Sequence, residues 1–156
     1  MACAAWALGE SGVDLVDATV TWEGLVEAGE DVVLHDALCP MTPPSFLAAC
    51  LEEARRSGDV VVGCRPVTDT VKVVGDGRVG DTLDRDDLVA ITSPLVLPAH
   101  VVARLDRRPA TDLGRAVVDL DATGHRVRLV AAPSEGRRVS SAEDVRVLDA
   151  LTSPRG

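Results

Sequence analysis

The sequence predicts an α/β fold: a mostly parallel sheet with helices packed against it. Three observations predict it. The β-branched run Val60–Val62 is continuously apolar, as a strand covered on both faces is, and Val32–His35 and Val127–Val130 read as further strands. Stretches with apolar residues at helical spacing alternate with them along the chain, and alternation of this kind makes parallel sheets. The 156 residues are 46% apolar, enough for one real core, yet only 2% aromatic, so that core is Val, Leu and Ala.

The elements follow in order. Residues 1–17 carry an Ala-rich run, Ala2 to Leu8, broken by Gly9, Ser11 and Gly12, and then the short run Val13 to Val16. Trp22, Leu25 and Val26 recur at helical spacing, and Gly29 stops that helix. Asp31 leads into the strand Val32–His35. Thr42-Pro43-Pro44 opens the next helix, with Thr42 as cap and Pro43 at its first position. Its stripe is Phe46, Leu47, Cys50, Leu51 and Ala54, and Gly58 ends it. After the strand Val60–Val62, the segments Thr70–Val74 and Arg78–Leu83 flank Gly75-Asp76-Gly77 and read as a β-hairpin arm, about residues 68–86. Leu88–Thr92 is a further short strand, and Pro98 starts a helix through Leu105. Thr111 caps a helix with Leu113, Ala116, Val117 and Leu120 on one face, closed by Gly124. Ser140 with Glu143 forms a capping box before Val145, Leu148 and Leu151. The expected organisation is a single domain over residues 1–151 and a frayed tail over 152–156.

Charge excludes some partners. A formal net charge of −9 repels phosphate backbones and anionic lipid, so neither nucleic acid nor a membrane surface is expected as a partner. No window is long enough to span a bilayer, and Met1 to Gly12 has no basic region of the kind that opens a signal peptide. Cys3, Cys39, Cys50 and Cys64 show no C-x-x-C spacing, and His35, His100 and His125 do not cluster with them. Four small residues in a reducing cytoplasm are the expectation, which places the protein there. Basic residues are skewed to fifteen Arg against one Lys, Lys72 in Thr68-Asp69-Thr70-Val71-Lys72. An ammonium is a compact point charge that a guanidinium does not always replace, though chance explains the skew equally well.

In open α/β sheets ligands bind beyond the carboxyl ends of the strands. Asp36 lies just past such an end, where a carboxylate holds a metal ion or a sugar hydroxyl, or merely caps a turn before Pro40. The order His35-Asp36-Ala37-Leu38-Cys39-Pro40, then Pro66-Val67-Thr68-Asp69-Thr70-Val71-Lys72, then Asp84-Arg85, resembles the 2-C-methyl-D-erythritol 4-phosphate cytidylyltransferases of the non-mevalonate isoprenoid pathway. The resemblance covers roughly residues 17–151 and implies a Rossmann-like sheet whose β-hairpin arm reaches across a dimer, with itself or with a relative. It implies that Asp36 binds substrate and Mg²⁺, and that Thr70 and Arg85 contact the substrate of the partner subunit. Ser93-Pro94 stands at the family's Thr-Pro-Gln, so Ser93 keeps the hydroxyl and is expected by the resemblance to bind substrate, while Leu95 replaces the Gln. Glu135-Gly136-Arg137-Arg138-Val139-Ser140 aligns with an acidic residue followed by Ile-Lys-Val-Thr. This makes Glu135 the second metal-side acid and puts Arg138 at the substrate-contacting Lys.

Two departures matter. The family's His-Asp-Ala-Ala-Arg-Pro has its phosphate-clamping Arg at Cys39, which removes a bidentate contact. The family's opening Ala-Ala-Gly-x-Gly-x-Arg loop, followed by Pro-Lys, has no counterpart in residues 1–31, where Gly9-Glu10-Ser11-Gly12 is short and acidic and Val20 stands at a nucleotide-holding serine. Such loops cradle a triphosphate with backbone N–H groups. The expectation is a truncated or degenerate member that keeps the substrate side of the cleft, missing the N-terminal nucleotide-binding strand and loop, and is weak or inactive alone. An active cytidylyltransferase with an atypical nucleotide site and a non-catalytic interaction domain are the alternatives.

Overall fold

The computed structural model describes residues 13–16 and 19–153. The expectations for Ala2–Leu8, for Gly9–Gly12 and for the end of the tail lie outside these residues. Residues 13–16 have no regular structure. The chain then runs α1 Trp22–Ala28, β1 Val32–Leu34, α2 Pro44–Ser57, β2 Val60–Pro66, β3 Val71–Gly75, β4 Arg78–Leu83, β5 Val89–Leu97, α3 Ala99–Val102, α4 Leu113–Ala122, β6 Val127–Ala131 and α5 Ala142–Thr152. Two single 3₁₀ turns, Arg85–Asp87 and Ser134–Gly136, sit between β4 and β5 and after β6.

The main sheet has the order β1-β5-β2-β6, and β3 with β4 forms a separate two-stranded ribbon. β2 pairs parallel with β6, and β5 pairs antiparallel with both β1 and β2. Three of the four strands therefore run one way and β5 alone runs against them. Side-chain alternation builds a core on each face. Val60 and Val62 point with Leu95 and Leu97 into a cluster closed by Trp22 of α1, Val101 and Val102 of α3, and Leu113, Ala116 and Leu120 of α4. Val61 and Val96 point the other way, onto Phe46, Cys50, Leu51 and Ala54 of α2. The result is helices on both faces of one sheet.

Local starts and stops follow the chemistry of the caps, with four shifts from the sequence expectation, the first being that the helix expected from Pro98 through Leu105 ends at Val102. Thr42 does not cap α2. Pro43 is extended (φ −63°, ψ 140°) because it precedes Pro44, so the helix begins at Pro44, and the Thr42 hydroxyl donates instead to the Cys39 carbonyl at 2.9 Å. Asp112, not Thr111, caps α4, accepting from the Arg115 amide at 2.8 Å. The capping box before α5 is Ser141 with Asp144, one residue on from Ser140 with Glu143; both registers satisfy the pattern, and the Ser140 amide and hydroxyl join Asp144 as well. Gly29, Gly58 and Gly124 do take the left-handed conformation at helix ends.

β5 is longer than the strand expected over Leu88–Thr92, and the reason positions the site. Pairing with β2 jumps from Val62↔Leu95 to Gly63↔Thr92, leaving Ser93 and Pro94 as an unpaired bulge, with a cis Ser93–Pro94 peptide. Proline has no N–H for a ladder and enters a central strand only at such an irregularity. Gly63 lies against the bulge, and a Cβ there would stand 2.8 Å from the Ser93 carbonyl oxygen.

Candidate functional site

β1, β2 and β6 all end at one edge of the sheet, and the charged groups gather there. Continuing the β1–β5 register past Leu34↔Leu95 sets Asp36 opposite Ser93. The Asp36 amide donates to Ser93 Oγ at 3.0 Å, so the bulged serine's side chain accepts the bond that a ladder would have given to a carbonyl. Asp36 then turns the chain. Its Oδ1 accepts from the Leu38 amide at 2.9 Å and its carbonyl from the Cys39 amide at 2.8 Å. Its Oδ2 accepts from Arg138 Nε at 2.8 Å. Asp36 is thus both the turn-former and a charged partner; the two readings of this residue are compatible because a carboxylate has two oxygens.

Arg138 reaches Asp36 from a strap over residues 133–139 that crosses the end of the sheet. Four bonds hold this strap. Arg65, at the end of β2, donates to the Pro133 carbonyl at 2.8 Å. Thr92 Oγ1 donates to the Gly136 carbonyl at 2.7 Å. The Val139 amide donates to the Leu38 carbonyl at 2.7 Å. The Arg138–Asp36 ion pair is the fourth, with side chains 53% and 24% exposed. Cys39, at the position of the family's clamping Arg, is fully buried, with Sγ 3.4 Å from Thr92 Oγ1. It packs under the turn, where it does not serve as a surface contact.

Electrostatics sharpen the picture. Burial pushes the Asp36 carboxyl up, but the Leu38 amide and the Arg138 guanidinium outweigh it and hold it below the usual carboxylate range. Asp36 is therefore an anion at neutral pH. His35 is held below its ordinary value by burial, against the pull of Asp36 and a Cys39 backbone hydrogen bond, and its Nδ1 lies 2.7 Å from Ser93 Oγ. A guanidinium carries five N–H donors, so the one bond from Arg138 Nε leaves donors for an anionic ligand beside Asp36.

The other expected site residues lie apart from this cluster or at its margin. Glu135 sits in the 3₁₀ turn of the strap and accepts from the Ser134 hydroxyl at 3.0 Å. Among the described residues no three Asp, Glu, His or Cys side chains converge as a ready metal set. Asp36 and Glu135 are oxygen donors of the kind Mg²⁺ uses, and Mg²⁺ commonly takes one or two carboxylates with the rest from substrate and water. Thr70 is exposed just before β3, and Arg85, exposed after β4, donates to the Thr68 carbonyl at 3.1 Å, closing the base of the ribbon. Lys72 Nζ bonds Thr82 Oγ1 across the ribbon, so the single Lys is a cross-strand contact within the arm.

Of the expected residues, the structure brings Asp36, Ser93 and Arg138 together, with His35 and Thr92 as polar neighbours that sequence reasoning did not single out. The signal for His35 was its place beside Asp36 at a strand end. For Thr92 it was the hydroxyl before Ser93-Pro94, in a strand whose proline demanded a bulge.

Residues 15–153 match the model of the family described as IspD, 2-C-methyl-D-erythritol 4-phosphate cytidylyltransferase. The chain is 32% identical over 150 residues to the bifunctional enzyme IspD/IspF of Clavibacter michiganensis, covering 90% of this chain and 37% of that one. It is 32% identical over 144 residues to the 2-C-methyl-D-erythritol 4-phosphate cytidylyltransferase of Pelotomaculum thermopropionicum, covering 86% and 59%. It thus spans well under two thirds of these relatives' lengths. In fold it is similar to a crystal structure of 4-diphosphocytidyl-2C-methyl-D-erythritol synthase, with a TM-score of 0.66 at 22% identity over 85% of this chain and 63% of that one. The cytidylyltransferase of Thermus thermophilus gives 0.61 at 23% identity over 89% and 72%. With a family match over nearly its whole length and relatives above 30% identity, the chain belongs to the 2-C-methyl-D-erythritol 4-phosphate cytidylyltransferase family.

Proposed function

We propose that this chain forms the methylerythritol phosphate side of a cytidylyltransferase site in isoprenoid biosynthesis, and that the 156 residues transfer CMP weakly or not at all by themselves. The full reaction joins CTP and 2-C-methyl-D-erythritol 4-phosphate into CDP-methylerythritol and releases pyrophosphate. The carrying observation is the Asp36–Arg138 pair at the carboxyl ends of the strands. A carboxylate that accepts from polyol hydroxyls next to a guanidinium that binds phosphate suits a phosphorylated polyol. Ser93 belongs to the same cluster, while Thr70 and Arg85 would serve the site of a partner across the arm. Asp36 and Glu135 would hold Mg²⁺, which neutralises charge on phosphate oxygens.

Weak transfer follows from charge. Phosphoryl and nucleotidyl transfer rest on positioning and on neutralising the triphosphate, and one lost donor of that kind costs on the order of 10²–10³ in rate. No glycine-rich run with following Arg or Lys stands in residues 1–31. Incubating the purified chain with CTP, magnesium and methylerythritol phosphate should release pyrophosphate at the blank rate, whereas calorimetry should detect methylerythritol phosphate binding. Pyrophosphate well above blank would favour the active alternative, and no binding would leave only an interaction domain.

The arm supports a dimer, with a second copy or a relative. A two-stranded ribbon is marginal in water on its own, and this one exposes Val74 at 68% and Val79 at 72%. Native mass should show a dimer; a strict monomer at micromolar concentration removes the exchange of Thr70 and Arg85. Among the described residues no helix is long and apolar enough to cross a membrane. The free thiols of Cys39, Cys50 and Cys64 suit the reducing cytoplasm proposed as the protein's location.

A further inference from the structure

From the bulge in β5 we infer that Ser93 is a positioning residue that acts through Asp36 and not by touching the substrate, and that His35 is its partner in that role. The inference rests on the reading of Asp36 as a substrate ligand given above.

Ser93 is 0% exposed, and its hydroxyl is fully engaged within the chain. It accepts from the Asp36 amide at 3.0 Å and meets His35 Nδ1 at 2.7 Å. A hydroxyl has one proton and two lone pairs. If His35 Nδ1–H donated to it, Oγ would accept twice, and the serine's own proton would be buried with no acceptor in the cluster. If Ser93 donates to Nδ1, both bonds of Oγ are used, the Asp36 N–H on a lone pair and the hydroxyl proton on Nδ1, and the imidazole proton sits on Nε2. Buried polar groups avoid the first arrangement because an unspent donor costs free energy. Ser93 then has no proton left for a ligand. What it does is fix the Asp36 backbone, and with it the side chain whose two oxygens face Leu38 and Arg138.

The bulge makes this possible. Ser93 sits where β5 skips its pairing with β2, so its side chain turns toward β1 and replaces a ladder acceptor. A threonine keeps the same Oγ, and an alanine leaves the Asp36 amide without a partner.

The test uses the whole chain, methylerythritol phosphate as probe, and calorimetry beside NMR. Ser93→Ala should weaken binding roughly tenfold, the usual scale for stranding one buried donor, while Ser93→Thr should bind as the parent does. In an Asp36→Asn background, Ser93→Ala should cost less than about twofold, because its effect runs through a ligand already spoiled. Equal losses in both backgrounds would mean that Ser93 touches the substrate itself, and would overturn the inference. Two readouts need no ligand. The His35 ring ¹⁵N signals should show the Nε2–H tautomer in the parent and in Ser93→Thr, and the Asp36 amide should exchange several-fold faster in Ser93→Ala. A parent with Nδ1 protonated, or unchanged Asp36 exchange, sinks the inference even where methylerythritol phosphate fails to bind; that failure alone sinks the family reading of the site instead. Should Ser93→Ala not fold, His35→Ala applies the same exchange test from the other side of the bond.

Discussion

The end of the main sheet and the β3–β4 arm both carry motifs of the family, yet they are opposite kinds of structure. At the sheet end most polar groups of the cluster bond within the chain, while Arg138 keeps donors to spare. Asp36 binds Leu38 and Arg138, Ser93 binds Asp36 and His35, and Thr92 and Arg65 hold the strap. The arm is tied by Lys72 to Thr82 and by Arg85 to Thr68, exposes its valines, and packs into neither core cluster. A site that binds a small ligand must be preorganised, because ordering it on binding subtracts from affinity. An arm that serves another subunit needs only a ladder until that subunit covers it. The difference teaches that a motif match says which residues to watch, while the network around them says whether one chain suffices.

The largest effect that separates the two regions should come from glycines. Alanine at Gly63 puts a methyl 2.8 Å from the Ser93 carbonyl oxygen, backbone against backbone in a closed sheet. The expected outcome is a loss of about 1–3 kcal/mol in denaturant unfolding, with weaker methylerythritol phosphate binding as Ser93 shifts. At Gly75 of the arm a Cβ meets nothing within 4 Å. Gly75→Ala should stay within about 0.5 kcal/mol of the parent. Equal effects at the two positions would erase the contrast.

Most of the scaffold was legible because burial writes itself as periodicity. Val60-Val61-Val62 announced a strand covered on both faces, and the stripe from Phe46 to Ala54 announced α2, since neither pattern has a second use. Strand direction was less legible: β5 reverses inside an otherwise parallel set, and a run of Val and Leu reads the same both ways. Pro94 was in plain view, but a proline is equally the end of a strand or the centre of a bulge, and only the partner Gly63 decides. At the site, Asp36 and Arg138 came from the resemblance. Their contact, over a separation of 102 residues, had no local signature. Cys39 shows the limit best. It stands where the family has its phosphate-clamping Arg, and burial under the turn explains how the chain uses the position without explaining the exchange.

A middle-sized effect belongs to the strap's exit. The Ser140 amide, with the Ser141 hydroxyl, holds the Asp144 carboxyl down at about 2 against an ordinary value of 3.8. A depressed carboxylate stabilises the fold fully above its unfolded value and loses that contribution as pH falls through the folded one. The α5 amides should therefore keep their protection, relative to intrinsic exchange, down to about pH 4 and lose it progressively toward pH 2, ahead of β2 and β5. Asp144→Asn should show the faster exchange already at neutral pH. Arg137, whose guanidinium lies 3.3 Å from Asp144 Oδ1, links this cap to the strap, so the same variant should loosen Arg138 slightly. If α5 and the sheet open together at every pH, the strap is part of the core and differs from the arm still more.

The smallest effect, and the most discriminating one, lies on the arm. Val74 and Val79 face each other in the register Val74↔Val79 and are largely exposed. Replacing both with Thr keeps the β-branched shape and removes only methyl burial that this chain does not make. In dilute solution, where a monomer dominates, the unfolding midpoint should not move by more than about 0.5 kcal/mol equivalent. At high concentration the parent's midpoint should rise with protein, since anything that binds the native state alone stabilises it by mass action, and the double variant should lose that rise. A parent whose midpoint ignores concentration would mean the valines stay wet, and Thr70 and Arg85 would then have no neighbouring site to enter.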